Sequence, residues 1–314
     1  MAIGGRPAVL ALRALGLGDL LTAVPALRGL ARAYPAHRLL LVAPGPLAPL
    51  AELVGWQLVP VGELEPLPAG LHGADVAVNL HGRGPQSHRL LQAAGPGRAL
   101  WFEHPEVPDS RGCPGWRPGE HEVRRWCRLL REFGVAANPA DLRLHPPPGP
   151  APGPSAGATL IHPGAASPAR RWPAGHFAAV ARAEAVAGRR VVITGSRAEV
   201  PLAIQVAARA GLPDDAVLAG STDLAALARA VAAAERVVCG DTGVAHLATA
   251  FGTPSVLLFG PTSPAEWGPP PDCPRHRVLW AGATGDPHGQ SPHAGLLELG
   301  VDDALEAMAD LGSS

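Results

Sequence analysis

Lysine is missing from the 314 residues altogether, so all 26 basic side chains are arginine. They stand against 27 acidic residues, for a net charge of −1, which speaks against the basic face of a nucleic-acid binder. Aromatic residues are scarce at 4%, so an apolar fraction of 47% means cores packed from Ala, Leu and Val. Cysteine is rare too. Cys113, Cys127, Cys239 and Cys273 form no CxxC pair, which argues against a zinc site or disulfide frame and for free thiols in a reducing cytoplasm. Apolar runs nowhere reach the ~20 residues needed to cross a bilayer. Met1–Pro7 lacks the charged and apolar regions of a signal peptide. Asp-x-Asp is absent as well, so chemistry on a diphosphate is expected to run without metal or cofactor.

What is abundant is proline, 36 residues, and glycine, 38. Their densest run, His145 to Ser155, cannot be regular helix or central strand and reads as a semi-rigid spacer. It divides the chain into residues 1–150 and 151–314, each long enough for its own core. In the first part Ala8–Leu12 reads as a buried strand. A glycine-containing loop and an amphipathic helix from about Leu20 to Ala33 follow, with strands at Arg38–Val42 and Ala74–Leu80. Phe102–Glu120 reads as a long loop. In the second part strands are expected at Thr159–Ile161, Arg190–Thr194, Val217–Ala219, Arg236–Cys239 and Ser255–Phe259. Helices are expected at about Ala174–Ala187, Glu199–Ala210, Asp223–Ala234 and Thr242–Phe251, and a final one at Val301–Leu311. Short strands alternating with helices imply parallel sheets covered on both faces. Ligands of such sheets bind at the carboxyl ends of the strands, so the loops that follow strands are the candidate sites.

Leu15-Gly16-Leu17-Gly18-Asp19 is the first such loop. It fails as a dinucleotide fingerprint: Leu21 stands where the third glycine belongs, and Ala43-Pro44-Gly45 where the ribose-binding acid belongs. Asp19 serves equally as a helix N-cap or as a carboxylate facing a ligand. His162-Pro-Gly164-Ala165-Ala-Ser167 with Arg170 and Arg171 has small residues that let backbone N–H groups approach a phosphate, and arginines that add bidentate charge. The competing reading is a surface loop with two solvated arginines. Asp241-Thr242-Gly243 with His246 one turn on places helix-start N–H groups toward an anion; a capped helix with a satisfied histidine is the alternative. Glu199 can hold a ribose diol, or simply favour a helix first turn.

In their order along the chain these loops resemble glycosyltransferase family nine, the heptosyltransferase-like family. The resemblance rests on Gly18-Asp19-Leu-Leu-Thr-Ala-Val-Pro25, on His162-Pro-Gly-Ala165, and on Arg171-Trp-Pro173. Asp241-Thr-Gly243 with His246, Gly252-Thr-Pro254 and Phe259-Gly-Pro-Thr262 continue it. It spans about residues 8–268. It implies a GT-B architecture: two Rossmann-like α/β domains facing a central cleft, the N-terminal one binding the acceptor and the C-terminal one the nucleotide sugar. The final helix is free to pack back on the N-terminal domain. The implied activity is inverting, metal-independent transfer of a sugar, a heptose from ADP-heptose, to an acceptor hydroxyl, in a cytoplasmic monomer. Asp19 falls on the family's catalytic aspartate. His162, Gly164, Ala165, Arg170, Arg171, Glu199, Asp241, Thr242, Gly243 and His246 fall on donor-binding positions, with arginine where the family has lysine ahead of Trp-Pro. Gly18, His81 and Arg83 are the acceptor candidates, whereas His88 and Arg89 read as solvated. The partners are a nucleotide-sugar donor and a carbohydrate or small-molecule acceptor. A sugar-nucleotide epimerase of the same architecture and a non-catalytic sugar-nucleotide binder are the alternatives; a dehydrogenase ranks last.

Overall fold

The computed structural model describes residues 7–311; most of the N-terminal stretch considered for a signal peptide lies outside them. The chain forms two compact units, Met1–Leu142 and Arg143–Ser314, and the division falls at the start of the proline-rich stretch.

The first unit runs β1 (Ala8–Leu12), α1 (Leu17–Ala33), β2 (Arg38–Ala43), α2 (Ala48–Leu53), β3 (Gln57–Pro60), β4 (Val76–Asn79), α3 (Gln86–Ala93), β5 (Arg98–Leu100) and α4 (Glu122–Glu132). Its five strands are parallel, in the order β3-β2-β1-β4-β5. The chain winds outward from β1 to β3, then crosses to β4. The switch point therefore lies between β1 and β4, where doubly wound sheets open a crevice at the strands' carboxyl ends. Every residue of β1 is buried, as a central parallel strand covered on both faces requires. Trp56 anchors α1 by donating its indole N–H to the Leu27 carbonyl, 3.2 Å away.

The second unit runs β6 (Thr159–His162), α5 (Ala174–Val186), β7 (Val191–Ile193), α6 (Val200–Ala210), α7 (Leu224–Ala233), β8 (Arg236–Gly240), α8 (Gly243–Phe251), β9 (Ser255–Phe259), α9 (Pro264–Trp267), β10 (His276–Trp280), α10 (Ala294–Glu298) and α11 (Val301–Leu311). Its parallel order is β10-β9-β8-β6-β7, with the switch point between β6 and β8. Alanines supply much of the helical core, Ala178 and Ala181 on α5 meeting Ala203 and Ala207 on α6, and short side chains bring those helices close. Trp172 fills the space beneath them and donates to the Leu299 carbonyl at 2.9 Å. The final helix, α11, packs on α5, β9 and β10 of its own unit.

Some elements differ from expectation. Val217–Ala219 is not a strand: Val217 makes a single bridge to Ile193. A 3-10 turn at Asp214–Ala216 and a left-handed Gly220 (φ 73°) leave no length for a ladder. Pro173 is the N-cap of α5, which begins at Ala174 as expected. The strands β3, β5 and β10 were not expected from the sequence. All three are sheet edges, short or half-exposed and interrupted by polar residues.

Candidate functional site

In the first unit the switch point carries Asp19 and His81. Arg13 continues the β1 ladder, its N–H bonding the Val42 carbonyl at 2.9 Å, and α1 opens with Gly16 as N-cap. Asp19 is thus the third helical residue and not the cap. Its Oδ2 accepts the Gly16 N–H at 3.2 Å, and its Oδ1 pairs with Arg13 Nη2 at 3.2 Å. The side chain remains 27% exposed, so the carboxylate is oriented and still reachable. Gly18, beside it, is the second helical residue.

From the neighbouring β4, Asn79 Oδ1 accepts the His81 N–H at 2.9 Å, which fixes the turn. His81 Nδ1 is buried and has no hydrogen-bond partner among the described residues. Burial first, and then the Arg13 charge, lower the His81 pKa against the opposing pull of Glu63 and Asp19. At neutral pH the ring is an uncharged donor–acceptor close to Asp19. Arg83 stands exposed two residues on.

Of the two neighbours expected to be solvated, one departs from expectation. His88 is fully buried instead of solvated: its Nε2 lies 2.7 Å from the Phe102 carbonyl and its Nδ1 3.0 Å from Asn79 Nδ2. Those contacts supply the partners a buried imidazole needs, and burial lowers its pKa. Arg89 is exposed and pairs with Glu106 at 3.0 Å.

In the second unit the loops after β6, β7 and β8 come together. His162 ends β6, buried, with Nδ1 3.0 Å from Thr194 Oγ1; burial lowers its pKa while Glu199 opposes. Glu199 caps the 3-10 turn Arg197–Glu199 by accepting the Ser196 N–H at 2.7 Å, and its carboxylate lies against Gly164.

The two arginines separate. Arg171 grips a backbone carbonyl, donating from Nε at 3.0 Å and Nη2 at 2.8 Å to Ala165, and so closes the loop on itself. Arg170 turns toward β8, with Nη1 3.5 Å from the Asp241 carbonyl and 3.9 Å from its carboxylate.

Thr242 is the N-cap of α8 and Gly243 its first residue. The Thr242 hydroxyl makes no capping bond and is buried without a hydrogen-bond partner among the described residues, as is Arg170 Nε. Burial pushes the Cys239 thiol pKa up and Thr242 opposes. His246, one turn into α8, meets the Trp267 ring edge-on at 6.1 Å. The start of α8 therefore gathers first-turn N–H groups, the Arg170 guanidinium with its unpaired Nε, and the Thr242 hydroxyl, a set that fits an anionic diphosphate. Among the described residues no cluster of His, Cys, Asp and Glu is placed to hold a metal ion, and no helix is long and apolar enough to cross a membrane.

The sequence model of glycosyltransferase family 9 (heptosyltransferase) matches residues 116–288, over half of the chain. The chain belongs to this family. The matched stretch holds every donor-site candidate above, while Asp19 and His81 precede it. Among solved structures, the E. coli ADP-heptose LPS heptosyltransferase II is similar with 21% identity and a TM-score of 0.75 over 98% of this chain and 99% of that one. A family 9 glycosyl transferase from Veillonella parvula DSM 2008 shares 20% identity and a TM-score of 0.80 over 100% and 99%. The E. coli heptosyltransferase WaaC with ADP shares 18% and 0.71 over 97% and 99%. At these identities the likeness concerns the fold, and with two five-stranded parallel α/β units it gives the GT-B class. Curated protein sequences include no match. Family membership makes the chain a glycosyltransferase.

Proposed function

We propose that the chain transfers a heptose from ADP-heptose to an acceptor hydroxyl with inversion, without a metal ion, as a cytoplasmic monomer. The observation that carries this reading is the convergence at the start of α8. Arg170 and the buried Thr242 hydroxyl stand beside the first-turn N–H groups of Gly243 and Val244. Those groups offset the charge that develops on a departing nucleoside diphosphate, the task that carboxylate-held metal performs elsewhere. Glu199 meets the ribose and His246 a phosphate or the leaving oxygen. ADP and ADP-heptose as donor chemistry are supported by the relatives solved with or named for them.

In an inverting transfer the acceptor hydroxyl attacks the anomeric carbon from the face opposite the leaving group. The C–O bond to the acceptor forms as the bond to the diphosphate breaks, and the hydroxyl proton passes to a base. Asp19 takes that proton, with Gly18, His81 and Arg83 meeting the acceptor.

The test is a panel of nucleotide sugars in thermal-shift measurements, where a bound donor raises the melting temperature by mass action. ADP-heptose should give the largest shift, unchanged by EDTA, and turnover should likewise persist in EDTA. A stronger shift with a uridine or guanosine donor, or turnover restored only by Mg²⁺ or Mn²⁺, would overturn the assignment.

A further inference from the structure

Arg13 is the buried hub of the first unit's working edge. Its side chain is 1% exposed, yet it serves acceptors from three separate elements and their loops. Nε donates to the Asp19 carbonyl at 3.0 Å and Nη1 to the Leu80 carbonyl, beside His81. Nη2 faces Asp19 Oδ1 at 3.2 Å, Thr22 Oγ1 at 3.2 Å and Glu122 Oε1 at 2.9 Å. The guanidinium also lies over the Trp126 ring, 4.9 Å from its centroid.

Glu122 is held in turn. Its Oε1 accepts the Trp126 indole N–H at 2.9 Å, and its Oε2 pairs with Arg125, whose guanidinium lies over Trp116 at 4.2 Å. A continuous chain of alternating charge, Arg125–Glu122–Arg13–Asp19, thus runs from α4 to the head of α1. Side-chain exposure along it is 8%, 7%, 1% and 27%, so Asp19 is the end that meets solvent.

A buried ionic chain is a weak source of stability, because desolvation offsets most of the attraction. It is a strong source of orientation. Nη2 carries two protons for three acceptors, so the closest of them, Glu122, decides how the guanidinium is shared and where Asp19 Oδ1 comes to rest. We propose that Glu122, acting through Arg13, is a positioning residue that sets the Asp19 carboxylate for proton removal from the acceptor. The same reasoning applies to any base oriented by a third group. The proposal rests on reading Asp19 as the base.

The experiment is a double-mutant cycle on the full chain, reading kcat, donor KM and melting temperature. Glu122→Gln keeps the shape and an acceptor oxygen but removes the charge. In the wild-type background it should lower kcat on the order of 10- to 100-fold, as small misplacements do, with donor KM within about twofold. In the Asp19→Asn background the same change should alter the residual kcat less than about twofold, because residues acting as a unit are non-additive. Arg13→Lys, which keeps the charge and loses the fork, should behave alike and carries the cycle if Glu122→Gln fails to fold. Equal loss in both backgrounds, or no loss in either, overturns the positioning role. Wild-type turnover by Asp19→Asn itself sinks the base reading, and the proposal with it.

Discussion

Gly164 and Glu199 share one volume: a Cβ built on Gly164 would overlap the Glu199 carboxylate. The atom in the way is the end of a flexible side chain, so Gly164→Ala should cost little stability while pushing Glu199 off its place. We expect Gly164→Ala and Glu199→Ala to weaken donor binding similarly, by the ~1.5–3 kcal/mol of a hydrogen bond to a charged group, and the double variant to be no worse than either. Titration calorimetry with donor checks this; additive losses would mean that the glycine contacts the ligand through its own backbone.

Asp19→Asn preserves the shape and keeps one of the two acceptor oxygens that meet the Gly16 N–H and Arg13. Donor affinity should stay within a factor of about two, while kcat falls by ~10²–10⁴, the usual contribution of a general base. Single-turnover kinetics at saturating donor separate the two. Equal loss of donor binding would assign Asp19 to the architecture of the loop.

The structure splits the arginine pair into unlike roles. Arg170→Ala should weaken donor binding by about 1.5–3 kcal/mol, the value of a hydrogen bond to a charged group, and leave the melting temperature near wild type. Arg171→Ala removes both donors from the Ala165 carbonyl and should lower stability by ~1–3 kcal/mol, the cost of an unpaired buried acceptor. Denaturant melts alongside binding titrations distinguish the two; the reverse pattern would exchange the roles.

His276 predicts an acid-side loss of stability. It is 8% exposed, with Nδ1 2.8 Å from Ser255 Oγ. Burial, then the charges of Arg143 and Arg275, bring its pKa from 6.5 down to about 4. The unfolded chain therefore binds a proton that the folded chain refuses between those values. Its contribution is fully present above pH 6.5 and is lost as the pH falls toward 4, roughly 3 kcal/mol at 1.36 kcal/mol per pH unit. Wild type and His276→Gln, compared by urea unfolding from pH 7 to 4, should converge by that amount. A pH-independent difference would remove the histidine from the account.

Much of this was legible in the chain because the central elements are strongly patterned. Ser255–Phe259 and Val301–Leu311 lie where periodicity puts them, and β1 is a continuous apolar run of the kind a doubly covered sheet accommodates. The helix α4 escaped notice although Val123, Trp126, Cys127 and Leu130 repeat at helical spacing, because arginines and a glutamate crowd between them. Glu122, Arg125 and Arg128 proved to be buried, with Arg124 exposed beside them. Arg13 carried no signal at all: it reads as a charge at the end of a strand, and its partner Glu122 lies 109 residues away. Pairings of that range belong to the fold, not to any local pattern. For the same reason composition could not tell that Arg170 and Arg171, adjacent in the chain, would point to different tasks.

In each unit the candidate residues follow strands, so the turns that follow helices make up the opposite rim. There Gly134, Gly188 and Gly211 adopt left-handed backbone with open space around them, and Val186, at the end of α5, is 83% exposed. Exposed turns of this sort accept insertions readily. The rim of the second unit is a place to hold the molecule by. In the second unit, a surface tether fixed at Val186 would anchor the enzyme to a support from the side away from the strand-end loops that carry the donor candidates.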